Sequence, residues 1–168
     1  MEKILAPIDG SEKSDESLEM ALELAESTGS EVEILHVLEP IYVSTPVYPT
    51  SYVRPSKPYP GTYVTPGEPT KTFKTPEGYS GVYTNRKKAG ENILDEAAQK
   101  ARKKHPEVEI SKKLLEGEPD DTIVNEAKKH GFDLIVMGAS GLGLKEIVLG
   151  NTTTAVARKS ETPVLVYK

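Results

Sequence analysis

The residues whose types and spacing could do chemistry are concentrated between Asp133 and Thr154. A short apolar run, Leu134 to Met137, is followed by glycines at 138, 141 and 143, then by Gly150, Asn151 and threonines at 152, 153 and 154. A run of that length suits a strand buried on both faces. Glycines at its end let the backbone turn through positive φ and let bare amides approach a ligand with no Cβ in the way. A helix starting just beyond adds unpaired N–H groups and a positive dipole end at the same place. The combination is an anion site, most often for phosphate. The plainer reading is two loops flanking a short helix.

Other chemistries fail on spacing. A Walker loop needs Gly-Lys-Ser/Thr, and Lys145 is followed by Glu146. The dinucleotide fingerprint needs a glycine three residues after Gly143, where Glu146 stands. Ser140 is no nucleophile elbow, because Leu142 occupies the place of the closing glycine. There is no cysteine, so disulfides and thiolate metal sites are ruled out, and no metal ligands are assigned. The three histidines, at 36, 105 and 130, are far apart in sequence. His36 reads as a satisfied core histidine within a strand, and the other two sit near helix C-termini, where the dipole favours them. No acid/base pair emerges, and no catalytic residue is expected.

The elements that must position the glycine stretch follow from hydrophobic period. Lys3 to Ile8 reads as a buried strand stopping at Pro7-Ile8-Asp9-Gly10, with Ser11 as N-cap of a helix whose apolar face is Leu18, Ala21, Leu22 and Ala25. Gly29 ends that helix, and Val32 to Val37 is a second strand. This β-α-β unit forces a parallel pair with a right-handed crossover. After a long interruption a helix resumes at Arg86, carrying Ala89, Ile93, Ala97 and Ala101, and ends near His105-Pro106. Val108 to Leu115 is a third strand, Asp120 caps a short helix ended by Gly131, and Leu134–Met137 is the fourth strand. A helix from about Thr152 to Lys159 and a strand from Thr162 to Tyr167 complete the chain. Five strands alternating with helices predict an α/β, doubly wound, parallel sheet in the order 3-2-1-4-5. Its crevice opens where the winding reverses, between strands one and four, placing Pro7, Ile8 and Asp9 opposite Met137 and Gly138. Asp9 offers carboxylate oxygens to an adenine amino group or a ribose hydroxyl there, or simply satisfies loop amides.

The interruption is compositional. Nine of the thirteen prolines and seven of the eight tyrosines lie between Pro40 and Tyr83. Such a chain favours extended or turn conformations, but a disordered segment rarely carries so many aromatics. Residues 41–84 are therefore expected to be a Pro/Tyr/Thr-rich insertion within a single domain of residues 1–168, lying on its own domain or on a partner subunit. The formal net charge of −5 argues against non-specific nucleic-acid binding. No stretch approaches the roughly 18 apolar residues that span a bilayer, and no secretory h-region opens the chain, so a cytoplasmic protein is expected. Acidic residues crowd positions 1–40 and basic ones 85–113, a polarity that solvated helix faces explain as well as a partner does.

In their order along the chain, Ile4-Leu-Ala-Pro-Ile-Asp-Gly-Ser11, Ile34-Leu-His-Val37, Gly117-Glu-Pro119, Leu134-Ile-Val-Met-Gly138 and Pro163-Val-Leu-Val166 resemble the signatures of the universal stress protein family. The resemblance covers everything except roughly residues 41–84. It implies a protein of the ATP-binding branch, with Pro7, Ile8, Asp9, Val37 and Met137 around the base and ribose. Gly138, Gly141, Gly150, Asn151 and Thr152 would cradle the phosphates. The family's Gly-x-x-Gly, nine residues, then Gly-Ser/Thr is shortened here, with eight residues before Gly150 and Asn151 in place of the hydroxyl. Asn151 can give its amide to phosphate but offers no hydroxyl ligand to a divalent cation.

The resemblance implies a stress-response regulatory protein that binds ATP or AMP, with Mg or Mn accompanying the nucleotide at most, and little or no turnover. It also implies a homodimer through the C-terminal strand, residues 163–167, an apolar edge that would otherwise invite aggregation. The rival is a nucleotide-free interaction module working through its tyrosine-rich arm. A third option is a slow ATPase or a protein that phosphorylates itself.

Overall fold

A computed structural model of the chain describes residues 1–40, 42–44, 72–74, 80–139 and 149–168, with side chains for 1–40, 83–139 and 149–168. The chain divides into two units, Met1–Pro40 with Thr84–Lys168, and Ile41–Tyr83. In the larger unit strand β1 (Lys3–Pro7) leads to helix α1 (Glu12–Thr28) and strand β2 (Glu31–Leu38). Ser11 caps α1, its hydroxyl accepting from the Ser14 N–H at 3.2 Å. Gly29 ends the helix at φ 69°, a left-handed turn that glycine adopts without strain.

Within the smaller unit, β3 (Tyr42–Ser44) pairs antiparallel with β4 (Thr72–Lys74), placing Tyr42 opposite Lys74. No alternating period announces this ribbon in the sequence. The remaining insertion residues, and with them the expectation that the arm lies on another surface, fall outside the described residues.

Helix α2 (Ser80–Lys104) begins before the expected Arg86, since no apolar stripe marks its first turns. Its buried face is Leu94, Ala97, Ala98 and Ala101, while Ala89 is exposed. A strict four-residue repeat walks around the helix by about 40° per step, so its first member leaves the core. Strand β5 (Ile110–Glu116) precedes α3 (Pro119–His130). Glu118, not the expected Asp120, is the N-cap residue of α3, because Pro119 supplies a preset φ at the first helical position. Strand β6 (Leu134–Gly138), helix α4 (Asn151–Lys159) and strand β7 (Val164–Tyr167) follow.

The sheet runs β5-β2-β1-β6-β7, all parallel, the expected 3-2-1-4-5 order of a doubly wound fold. Alternation along β1 divides the core. Ile4 and Ala6 pack with α1 and α2 on one face, and Leu5 packs with Ile123, Ala127 and Val156 of α3 and α4 on the other. Each fully buried Leu or Ile there contributes about 1.5–3 kcal/mol. The winding reverses between β1 and β6, so their carboxyl ends open a crevice flanked by the loops that follow them.

Candidate functional site

Two loops bound the crevice. Beyond β1, the Ile8 N–H donates to the Leu35 carbonyl at 2.8 Å, carrying the β1–β2 ladder one residue past the strand. The Ile8 carbonyl lies 2.8 Å from His36 Nδ1. A carbonyl can only accept, so Nδ1 carries the proton. Asp9 follows, exposed, with Oδ1 accepting from the Ser11 N–H at 2.9 Å. Gly10 turns the chain at φ 80°.

On the opposite side, β6 ends at Gly138, where a Cβ would stand 2.9 Å from the Lys13 carbonyl oxygen. Only glycine lets α1 approach so closely. Just beyond, the Ala139 N–H donates to the Tyr167 carbonyl and the Gly150 N–H to the Ala139 carbonyl, both at 2.7 Å. The buried Thr153 hydroxyl donates to the Gly138 carbonyl at 2.9 Å. The start of α4 is thus tied to the end of β6.

Helix α4 differs from its neighbours in charge. The first turn of α1 carries Glu12 and Asp15 and that of α3 carries Asp120 and Asp121, whereas α4 has no acid there; like α3 it has no side-chain cap. Its N-terminal N–H groups and dipole are left for solvent or a ligand.

These parts enclose a cleft of about 260 Å³. Of the residues expected to form a site, Pro7, Ile8, Asp9 and Val37 line it from one side and Met137, Gly138, Gly150, Asn151 and Thr152 from the other. Gly141 lies outside the described residues, as do Gly143 and Lys145. The cleft is also lined by Ser11, Ser14, Leu35, His36, Glu39, Pro119, Ile123 and Thr153, none of which sequence reasoning assigned to a ligand. Their signal was weak. Ile123 and Leu35 read as ordinary core, and only the polar His36 within an apolar strand stood out. Apolar walls (Ile8, Leu35, Val37, Ile123, Met137) face carboxylates at Asp9 and Glu39, and no Lys or Arg lines the cleft among the described residues.

A larger groove of about 620 Å³ lies at the opposite, amino-terminal end of the strands, lined mainly by Glu2, Glu26, Glu31, Glu107 and Glu109, with Lys3. Lys3 pairs there with Glu31 at 2.9 Å, and none of the expected site residues reaches it. Solvated carboxylates around strand starts account for it. Among the described residues no three His, Asp or Glu side chains converge as a metal site, and no helix is long and apolar enough to cross a membrane.

With this geometry in place, likeness to known proteins is informative. The family model "Universal stress protein family" matches residues 1–59 and 62–168. The universal stress protein YxiE of Bacillus subtilis (strain 168) is 33% identical over 168 residues, covering 99% of this chain and 98% of that one. Among solved structures, the universal stress protein UspA from Lactobacillus plantarum aligns with a TM-score of 0.71 at 20% identity, over 99% of this chain and 97% of that one. The universal stress protein from Archaeoglobus fulgidus in complex with dAMP aligns with a TM-score of 0.60 at 22% identity, over 100% of this chain and 98% of that one.

Proposed function

The chain belongs to the universal stress protein family, and from that membership we propose that it binds an adenine nucleotide in the cleft between β1 and β6 and acts as a stress-response regulator. The observation that carries this reading is the convergence of the Ile8–Asp9 turn, Met137–Gly138 and the uncapped start of α4 on one cavity. The adenine ring would lie among Ile8, Val37 and Met137. The Asp9 carboxylate would take a ribose hydroxyl or the adenine amino group, and phosphate would sit on the N–H groups of α4 beside Gly150, Asn151 and Thr152. The dAMP complex of the Archaeoglobus fulgidus protein supports an adenine monophosphate as the first ligand to test.

Phosphate in the cleft meets peptide N–H groups and a helix dipole, with Asp9 and Glu39 nearby and no basic side chain among the described lining residues. Asn151 brings an amide where a hydroxyl would ligate a divalent cation, so the reading does not extend to metal-assisted turnover. Denaturing the purified protein and identifying the released small molecule, followed by calorimetry with AMP and with ATP in the presence and absence of Mg²⁺, tests the proposal. A blank in both would favour an interaction module instead.

The same reading includes a homodimer through β7. Pro163 and Tyr167 turn their carbonyls toward β6, accepting from Ile135 and Ala139. By strand alternation Val164 and Val166 turn theirs outward along the sheet's edge. Pairing with a second copy would cover that edge.

A further inference from the structure

We propose that His36 is a positioning residue for this site, holding the β1–α1 turn so that the Asp9 carboxylate faces the cleft; the proposal rests on the nucleotide-binding reading. Ile8 is the last residue fixed before Asp9. Its N–H is held by the Leu35 carbonyl and its carbonyl by His36 Nδ1, both at 2.8 Å. With both polar groups of the Ile8 main chain bonded to consecutive residues of β2, the direction in which the chain leaves β1 is fixed. The Ser11 N–H then takes Asp9 Oδ1, which leaves Oδ2 for a ligand.

The imidazole is itself held from above. A Cβ at Gly90 of α2 would stand 2.9 Å from His36 Cδ2 and 3.1 Å from both Leu114 Cδ1 and Leu38 Cδ2, so the helix backbone lies directly on the ring. One turn later, Ile93 packs on the same loop, its Cδ1 3.2 Å from where a Cβ of Gly10 would be. Helix α2 therefore presses on the ring and on the turn at two points, each made possible by a glycine.

Affinity for AMP, measured by calorimetry on the full chain, and exchange of the Ser11 amide, measured without ligand, test the proposal in wild type and in variants. His36→Phe keeps a ring and removes the donor; it should weaken AMP roughly three- to tenfold, the worth of one hydrogen bond, and speed Ser11 exchange. His36→Gln, which retains an N–H donor, should recover part of both. The loss in His36→Phe/Asp9→Asn should not exceed that of Asp9→Asn alone, because the ring acts through the carboxylate. Losses that multiply, or AMP affinity and Ser11 protection that match wild type in His36→Phe, would overturn the positioning role. If His36→Phe does not fold, Gly90→Ala displaces the ring without removing its donor and should give the same pair of changes. Wild-type protein that binds no adenine nucleotide would refute the functional reading, and Ser11 exchange would still decide whether His36 holds the turn.

Discussion

His105 Nδ1 lies 2.9 Å from the carboxylate of Glu26, across the junction of α2 with α1. The other ring nitrogen, Nε2, lies 3.1 Å from Glu19, which also pairs with Lys104. Nε2 is hydrogen-bonded to Glu19, while Glu26 stands at ion-pair distance from Nδ1 without hydrogen-bond alignment, so both carboxylates favour the imidazolium form through their charge. Burial alone would lower the His105 pKa, but the two glutamates outweigh it and hold the pKa above its ordinary value.

The sign of the pH dependence follows. A pKa raised in the folded state stabilises fully below the unfolded value of about 6.5 and loses that contribution as pH rises through the folded value. Denaturant midpoints should therefore fall as pH climbs from about 6.5 into the alkaline range. His105→Gln should flatten that segment of the profile, and an unchanged slope would discount the clamp.

Gly138→Ala should be costly. The added methyl would meet the Lys13 carbonyl at 2.9 Å, and main chain cannot swing aside as a side chain can. Overpacking of this kind costs about 1–3 kcal/mol. Urea unfolding should register that loss, and AMP affinity should fall with it because α1 and β6 would be pushed apart at the crevice.

Thr153→Val keeps the shape of a buried side chain and deletes its hydroxyl. The Gly138 carbonyl then loses its donor, at a cost of about 1–3 kcal/mol if no water replaces it. Equilibrium unfolding measures the loss. A variant as stable as wild type would show that the tie between β6 and α4 is redundant.

Asn151→Ser restores a hydroxyl at the first position of α4. Affinity for Mg²⁺-ATP should rise about two- to tenfold, the range of one added polar contact, while AMP affinity in EDTA stays near wild type. Calorimetry with and without Mg²⁺ distinguishes this from a general gain.

Val166→Pro removes a main-chain N–H that strand alternation turns away from β6, so the sheet within one chain should survive. If β7 pairs two copies, sedimentation should report monomers from this variant and dimers from wild type. Dimers from both would place the subunit contact elsewhere.

The fold was legible because its signals are local and mutually consistent. Four short apolar runs become β1, β2, β6 and β7, and Gly29 and Gly131 end their helices in the left-handed conformation as glycines at those positions should. The errors arose where local cues compete. Pro119 moved the start of α3 ahead of Asp120, and the first turns of α2 carry no apolar stripe to betray them. That Asp9, Gly138 and Gly150 line one cleft was legible because the strand order sets the ends of β1 and β6 side by side. His36 was read only as a satisfied core histidine. Its partner, the Ile8 carbonyl, lies just past the end of β1, and nothing in a linear sequence records that meeting.

The closure of Ala139 onto Gly150 means that whatever the chain does between them begins and ends at a fixed doorway. The carboxyl end of β6 and the first turn of α4 therefore behave as one unit, and a substitution that loosens either should loosen both.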